Sequence, residues 1–233
     1  MKSVAVRNIE RADADIVKVL GEYGVATVHE AQARTGLMQP YMRPIYSGCR
    51  VAGSVVTVFA QPGDNWMLHV AVELCQQGDM LVVAVTTENS SGMFGELLAT
   101  SFMAKGAVGL IIDAGCRDVA ELQDLGFPVW SRAINAQGTV KATPGAVNIP
   151  IVCAGAAVNP GDIAIADDDG VCIVPRAKAA AVAEASQARL DKETVTRKRL
   201  QSGELGLDIY GMRPKLEAAG LVYIDDLQDL EQP

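Results

Sequence analysis

The sequence predicts an α/β protein with the layers of an α/β/β/α sandwich, followed by a C-terminal helical arm. Apolar runs alternate with amphipathic stretches in the middle of the chain, which indicates βαβ units. Later β segments follow one another with only short turns between them, which indicates hairpins. Neither GxGxxG nor a GxxxxGKS or GxxxxGKT loop occurs, which disfavours a nucleotide-binding doubly wound fold.

Hydrophobic periodicity places the elements of the first half. An amphipathic helix is predicted over residues 9–23, ended by Gly24, and a second short helix over residues 29–34. The β-branched run at residues 54–60 predicts a strand. By the same criteria we expect helices over residues 67–76, 95–105 and 118–125, and strands over residues 80–85, 109–113 and 129–131.

The second half predicts short strands and then one long helix. The strands are expected at residues 147–149, 151–153, 163–166 and 171–174. A turn at residues 167–170 separates the last two, so they are predicted to be antiparallel neighbours. The charged, alanine-rich stretch from residue 176 to 201 predicts a helix. We therefore expect a core domain with the active site at residues 1–175 and an arm at residues 176–233 that packs on a neighbouring subunit.

Composition limits the classes of partner. The 233 residues carry a formal charge of −8, which gives no basic surface for a phosphate backbone. Nucleic acid is therefore not expected as a direct partner, and a small-molecule substrate is. An anionic substrate would have to be held by local cations such as Arg117 and Lys141 and by backbone amides.

Cysteine usage and the N-terminus bear on location. The five cysteines have no CxxC spacing and lie mostly in apolar runs, which favours buried reduced thiols over disulfides or a thiolate metal site. The first residues lack the apolar segment of a signal peptide, and no apolar run is long enough to span a membrane. A soluble, cytoplasmic protein without membrane partners is expected.

Two polar segments follow predicted buried strands and carry the candidate chemistry. Gly95 and Glu96 open a predicted helix, where free backbone N–H groups can hold a carboxylate. Arg117 and Asp118 follow the strand at residues 109–113, and ligands gather at the carboxyl ends of such strands. Asp118 could bind a hard cation such as Mg²⁺, and Arg117 could hold a substrate oxygen. A helix cap with a surface ion pair is the alternative interpretation.

A family resemblance extends over nearly the whole chain. Its motifs are residues 27–32, 95–100, 113–118, 127–131, 138–141, 166–171 and 203–208. These segments resemble those of 4-hydroxy-4-methyl-2-oxoglutarate/4-carboxy-4-hydroxy-2-oxoadipate aldolases, whose fold is shared with the regulators of ribonuclease E activity. The resemblance implies a swivelling β/β/α core, similar to phosphohistidine domains, and a homo-oligomer, a trimer or hexamer.

The resemblance also implies roles for individual residues. Asp118 would bind a divalent metal, Mg or Mn, directly. Glu96, which stands where other members have aspartate, would reach the metal through water, as would Glu193 of an adjacent subunit. Arg117 would hold the pyruvyl part of the substrate together with Gly95 and the amides of Leu97 and Leu98. Lys141 would bind the carboxylate at the far end.

The implied reaction is a class II aldol cleavage in bacterial degradation of aromatic compounds. 4-Carboxy-4-hydroxy-2-oxoadipate would give pyruvate and oxaloacetate, and 4-hydroxy-4-methyl-2-oxoglutarate would give two pyruvates. Oxaloacetate decarboxylation is expected as a secondary activity, because it passes through the same enolate. Two rivals remain open: a regulatory protein that inhibits ribonuclease E, and a methyltransferase-like enzyme, which no glycine-rich loop supports.

Several other polar residues have simpler interpretations. His29 and His69 lie on predicted helices, where a lone histidine is more often packed or capping than catalytic. Lys141 could in principle form a Schiff base, but it lies in a polar turn that would not depress its pKa. The acidic run at residues 167–169 is interpreted as a hairpin turn, because the twelfth position of a calcium loop is not acidic.

Overall fold

The structure is a computed structural model that describes residues 3–231. The strands are Val4–Ala5 (β1), Arg43–Pro44 (β2), Val51–Ala60 (β3), Asp79–Val85 (β4), Gly92–Phe94 (β5), Gly109–Cys116 (β6), Val129–Ile134 (β7), Ala146–Val147 (β8), Ile151–Cys153 (β9), Ala156–Val158 (β10), Ile163–Asp167 (β11) and Gly170–Val174 (β12). The α-helices are Ala14–Tyr23 (α1), Val25–Ala31 (α2), Trp66–Leu74 (α3), Glu96–Met103 (α4), Val119–Leu125 (α5), Ala179–Gln201 (α6), Gly206–Ile209 (α7) and Arg213–Ala218 (α8), with 3-10 turns at Arg176–Lys178 and Leu227–Glu231.

The centre of the fold is a parallel sheet in the order β3-β4-β6-β7. Its strands are buried on both faces, as expected for continuous apolar runs joined by helical crossovers. β8 and β1 extend the sheet beyond β3, and β2 closes it beyond β7. The short strand β5 pairs with the last residues of β6, where the register of β6 shifts. This arrangement brings the ends of β5 and β6 to one edge of the sheet.

Side-chain alternation along each strand separates the layers. On one face of the central sheet, Val56, Leu81 and Ile112 pack with apolar residues of α3, α4 and α5. On the other face, Val55 and Met80 pack against the inner face of the β11–β12 hairpin and against the small β9–β10 sheet.

The hairpin has a helical cover of its own. The outward residues of β11 and β12 pack against α1 and α2, with Leu20 and Val28 fully buried between them. The order of layers is therefore helices, sheet, hairpin and helices. The predicted α/β/β/α sandwich is confirmed, as is the antiparallel pairing of β11 with β12.

Local sequence explains where the first two helices begin and end. The Asp13 carboxylate accepts hydrogen bonds from the amides of Asp15 and Ile16, so α1 starts at Ala14, five residues later than predicted. Gly24, with φ of 80°, ends α1 and immediately precedes α2. The predicted second helix at residues 29–34 is wrong in position. Ala33 and Arg34 have positive φ and cannot continue a right-handed helix.

A buried ion pair lies at the amino ends of the central strands. Asp79, the first residue of β4, is fully buried and accepts two hydrogen bonds of 2.8 Å from the Arg11 guanidinium. The Gln76 amide donates to the same carboxylate at 2.7 Å. These donors satisfy the buried carboxylate and offset the cost of removing it from water.

The chain divides into two compact units, with the boundary between Gln187 and Ala188. The second unit contains the end of α6 together with α7 and α8. Local ion pairs stabilise it, including Arg189 with Glu193 at 2.9 Å and Arg213 with Asp208 at 2.5 Å. Many of its large apolar side chains are exposed: Val195, Leu200, Leu205, Tyr210, Met212, Leu221, Val222, Tyr223, Ile224, Leu227 and Leu230.

Two further observations concern the chain as a whole. Within residues 3–231, none of the helices combines the length and the apolar character that crossing a membrane requires. All five cysteines are free thiols. Four of them are buried and Cys49 is half-buried.

Candidate functional site

The candidate site lies where β5 and β6 end side by side. Phe94 ends β5 and leads through Gly95 into α4, while Cys116 ends β6 and leads into Arg117 and Asp118. The Arg117 amide donates to the Phe94 carbonyl oxygen at 2.9 Å, which fixes the two connections against each other. Carboxyl ends of parallel strands are the usual place for ligands in such sheets.

A cleft of about 130 Å³ opens at this position. It is lined by Asn65, His69, Gly92, Met93, Phe94, Gly95, Leu97, Leu98, Arg117, Asp118 and Lys141. Six of the residues predicted for the site therefore surround one cleft. Glu96 lies between two of them on the first turn of α4.

Asp118 connects the two halves of the cleft. Its Oδ2 atom accepts a hydrogen bond of 3.1 Å from the Glu96 amide and lies 3.6 Å from Arg117 Nε. The residue occupies the N-cap position of α5 with a left-handed backbone, φ of 58° and ψ of 45°, a conformation that aspartate tolerates better than most side chains. Its side chain makes no capping hydrogen bond to α5, so the structure contains the proximity to Arg117 and not the carboxylate cap of the alternative interpretation.

The start of α4 offers donors for an anion. The first bond between turns of this helix runs from the Ala99 amide to the Gly95 carbonyl. The amides of Leu97 and Leu98 precede that bond and have no acceptor within the helix. Arg117 keeps 43% of its side chain exposed, and within residues 3–231 its outer guanidinium nitrogens have no protein acceptor. Two backbone donors and a cation can therefore meet a carboxylate here.

The other two predicted acidic residues have local partners. Glu96 Oε1 accepts a hydrogen bond of 2.9 Å from Thr100 Oγ1, one helical turn further along α4. Glu193 lies on α6 in the second unit, where it pairs with Arg189. The assigned contacts of both residues with metal-bound water stay predictions.

The side chains at the cleft suit a hydrated hard cation. Throughout the described part of the chain, three or more His, Cys, Asp or Glu side chains never group into a metal cage. Mg²⁺ does not need one, because it keeps several waters and takes one or two carboxylates. Asp118 lines the cleft, and Glu96 provides a second carboxylate on the adjacent first turn of α4. The donor set therefore fits Mg²⁺ or Mn²⁺ and does not fit a structural zinc site.

Gly95 leaves the space that the Asp118 carboxylate occupies. A Cβ atom at position 95 would lie 2.2 Å from Asp118 Oδ2, although the extended backbone there would accept alanine. We expect Gly95→Ala to displace the carboxylate and weaken Mn²⁺ binding about tenfold, a change of about 1.4 kcal/mol. Isothermal titration would measure it. Gly138→Ala is the control, because its Cβ would lie 3.7 Å from Arg117, an ordinary contact; equal Mn²⁺ affinity in both variants would contradict this prediction.

Asn65 lines the cleft and Asp64 supports it from behind, and neither role was predicted from the sequence. Asp64 is 3% exposed and holds the segment that contains Lys141 through backbone hydrogen bonds. Asn65 lines the cleft and donates from Nδ2 to the Met93 carbonyl oxygen at 3.2 Å. The only sequence signal was a polar pair between the turn at Pro62-Gly63 and the start of a helix.

Burial shifts the pKa of two titratable groups near the cleft. Partial burial lowers the pKa of His69, and the nearby Lys141 charge lowers it further, so the ring is neutral at pH 7. Burial raises the pKa of Cys116 to about 12, so this thiol stays protonated and is not a nucleophile. His29, by contrast, lies outside the cleft, where Nδ1 is 3.1 Å from the Thr35 carbonyl oxygen.

Sequence comparisons identify relatives of this chain. The sequence model of a family described as "RraA-like: Aldolase/RraA" matches residues 14–173. A relative from Halalkalibacterium halodurans is 27% identical over 135 residues, which cover 58% of this chain and 64% of that protein. A relative from Burkholderia multivorans is 28% identical over 148 residues, covering 62% and 90%. Both carry the provisional name 4-hydroxy-4-methyl-2-oxoglutarate aldolase.

A solved structure has the same fold. The crystal structure of Streptomyces coelicolor RraAS2, described as an unusual member of the RNase ES inhibitor RraA protein family, superposes with a TM-score of 0.71. It is 27% identical and the match covers 82% of this chain and 99% of that chain. The comparisons thus contain the aldolase and the ribonuclease regulator, two of the kinds of protein that the sequence left open. The chain spans less than two thirds of the Halalkalibacterium relative.

Proposed function

Because the chain belongs to the RraA-like family, described as Aldolase/RraA, we propose that it is a divalent-metal-dependent pyruvate aldolase. The observation that carries the proposal is the Arg117–Asp118 pair facing the free amides of α4 across one cleft. A guanidinium, a carboxylate and two unused backbone donors are what cleavage of a 2-oxo acid needs. If Asp118 served only as a surface helix cap, neither the guanidinium of Arg117 nor the two free amides would be needed.

The proposed substrates are 4-carboxy-4-hydroxy-2-oxoadipate and 4-hydroxy-4-methyl-2-oxoglutarate. The amides of Leu97 and Leu98 bind the C1 carboxylate, and Arg117 donates to the oxygen at C2. When the C3–C4 bond breaks, its electrons move toward C2 and negative charge develops on that oxygen. Arg117 stabilises this charge more strongly than the neutral carbonyl, which lowers the barrier.

The cleavage also moves one proton. The hydroxyl at C4 must lose a proton to become a carbonyl, and C3 of the departing enolate must gain one. Glu96 lies on the first turn of α4, next to the cleft-lining residues Gly95 and Leu97, and its carboxylate is proposed to order a water molecule that takes the first proton and returns one to C3. A bound divalent cation, held by Asp118 and through water by Glu96 and a neighbouring Glu193, would supply Lewis-acid polarisation of the 2-oxo acid.

Lys141 lies on the same cleft and would bind the carboxylate attached to C4. Oxaloacetate offers the same C1 carboxylate and C2 oxygen to Arg117 and to the amides of α4. Loss of carbon dioxide from it leaves the same enolate, so oxaloacetate decarboxylation is the proposed secondary activity. Both reactions belong to the breakdown of aromatic compounds, where such hydroxy-oxo acids are formed.

The active form is proposed to be a homo-oligomer, a trimer or hexamer. The number of large apolar side chains exposed in the second unit supports this proposal, because burial against a second copy would remove them from water. The unit from Ala188 onward would pack on a neighbouring subunit and bring Glu193 to that subunit's site. Sedimentation velocity would measure the mass.

Regulation of ribonuclease E is the second candidate function. The likeness to Streptomyces coelicolor RraAS2 favours it, since the match covers 99% of that chain. The two candidates are separated by one assay. Given a hydroxy-oxo acid and a divalent cation, an aldolase releases pyruvate without any partner protein. A regulator releases no pyruvate and instead changes the rate of RNA cleavage by the nuclease.

We expect pyruvate release to require a divalent cation and to stop on chelation. Lys141 is exposed and lies beside a polar turn, without the apolar surroundings that activate a Schiff-base lysine. A coupled assay with lactate dehydrogenase would follow pyruvate with added Mg²⁺, with chelator, and after Mg²⁺ is restored. Activity that survives chelation, together with borohydride trapping of pyruvate on Lys141, would contradict metal dependence.

A further inference from the structure

We propose that Asp64 is a positioning residue that holds Lys141, a residue lining the cleft, toward a carboxylate attached to C4 of the substrate. The inference rests on the proposed function and adds to it the group that selects the substrate class. Asp64 does not line the cleft itself. It acts through Lys141, and through the helix that carries His69.

The Asp64 side chain is a buried carboxylate with three backbone donors. Its Oδ2 atom accepts hydrogen bonds from the Ala142 amide at 2.8 Å and the Thr143 amide at 2.7 Å. Its Oδ1 atom accepts from the Trp66 amide at 2.9 Å. Burial alone would raise the pKa of Asp64, but these three donors and the Lys141 charge lower it below its usual range, so the carboxylate is ionised.

Backbone pairing continues on the other side of Lys141. The Val140 amide donates to the Gly63 carbonyl oxygen at 2.9 Å, and the Asn65 amide donates to the Val140 carbonyl oxygen at 3.1 Å. Residues 140 and 142 are therefore both fixed to the segment around Asp64. Lys141 lies between them, so its backbone cannot move independently and its side chain starts from a fixed point at the cleft.

The same carboxylate also fixes the start of α3. Trp66 is the first residue of this helix, and His69 lies on it and lines the cleft. One buried side chain thus sets the relative positions of the Lys141 segment and the His69 helix. The remainder of the cleft, which holds Arg117 and Asp118, is fixed by other hydrogen bonds at the ends of β5 and β6.

Because Asp64 fixes the part of the cleft that holds Lys141 and not the part that holds Arg117, it should affect only substrates that bind Lys141. Both hydroxy-oxo acids carry a carboxylate on C4 that Lys141 can bind. Oxaloacetate ends at C4 and loses that carboxylate as carbon dioxide, so it does not need a bound group there. A change that loosens Lys141 should weaken binding of the hydroxy-oxo acids and spare oxaloacetate.

The test uses Asp64→Asn, which keeps the shape of the side chain and removes its charge and one acceptor oxygen. We expect the KM for the hydroxy-oxo acids to rise about tenfold with kcat changed less than about threefold. Oxaloacetate decarboxylation should change less than about twofold. Lys141→Ala should raise KM similarly, and the double variant should add little to either single change, because both remove one interaction.

Asp162→Asn is the matched control, because Asp162 is also a buried carboxylate that accepts backbone hydrogen bonds, from Asn159 at 2.9 Å and Arg176 at 3.0 Å. It should leave all three substrates unaffected. Hydrogen exchange provides a readout that does not depend on activity. The amides of Ala142 and Thr143 should exchange faster in Asp64→Asn, while the Arg117 amide stays protected.

The outcomes separate the two proposals. Equal losses with oxaloacetate and the hydroxy-oxo acids, additive effects in the double variant, or unchanged exchange at Ala142 would overturn the positioning role. A wild-type protein that cleaves neither hydroxy-oxo acid would overturn the proposed function and, with it, the substrate part of this inference. The exchange measurement would still decide whether Asp64 fixes the Lys141 segment.

Discussion

Replacing Arg117 with lysine should lower kcat for aldol cleavage by roughly a hundredfold, the scale of one preorganised oxyanion donor. Lysine keeps the positive charge but loses the planar fork that can reach two oxygens at once. The guanidinium is also oriented by Asp118, 3.6 Å from Nε, and a flexible ammonium would not be held in the same way. Metal binding should be retained. Alanine should lose more, because the charge is removed as well.

Steady-state kinetics with pyruvate detection would measure both variants, with circular dichroism to verify folding. Arg34→Lys is the control, since Arg34 pairs with Glu30 at 3.0 Å and its side chain is 73% exposed. Exposed ion pairs of this kind contribute under about 1 kcal/mol, so that variant should behave as wild type. Near-normal kinetics for Arg117→Lys and Arg117→Ala would show that Arg117 is only a surface partner of Asp118.

We expect Asp118→Asn to abolish turnover while the fold survives. Asparagine is tolerated in the left-handed conformation found at position 118, and its amide oxygen can still accept the Glu96 N–H. The melting temperature should therefore change by less than about 3 °C. Loss of the negative charge removes the proposed metal ligand, so Mn²⁺ affinity should fall by at least about a hundredfold.

Electron paramagnetic resonance of free Mn²⁺ would report the affinity without any assay of activity. Asp168→Asn provides the comparison, because Asp168 is an exposed carboxylate that accepts a hydrogen bond from the Gly48 amide at 3.0 Å, away from the cleft. It should leave both Mn²⁺ binding and turnover unchanged. Wild-type Mn²⁺ affinity in Asp118→Asn would place the ion elsewhere.

Local patterns were enough to predict most of the fold. The runs that became β4 and β6 are continuous apolar stretches, so their burial follows from the sequence alone. The turn at residues 167–170 predicted the β11–β12 pairing. The strand β5 was not predicted, because three residues carry no periodicity. It exists because Gly92 and Phe94 find partners at the bulged end of β6.

The residues of the candidate site likewise differ in whether the sequence could predict them. Arg117 and Asp118 follow a predicted strand, and their place at its carboxyl end could be foreseen. Asp64 could not, because the amides of Ala142 and Thr143 that it binds lie 78 and 79 residues further along the chain. A buried carboxylate looks like any turn aspartate until its partners are known. Side chains that accept hydrogen bonds from distant backbone amides are therefore the part of a site that one sequence conceals.

The Arg11–Asp79 ion pair lies at the end of the central strands opposite to the cleft. Heat resistance and turnover are consequently separable targets for protein engineering. Buried ion pairs can often be replaced by apolar residues of similar volume without loss of stability. A library at positions 11 and 79 can thus search for thermal durability while the chemistry at the other end of the sheet stays as it is.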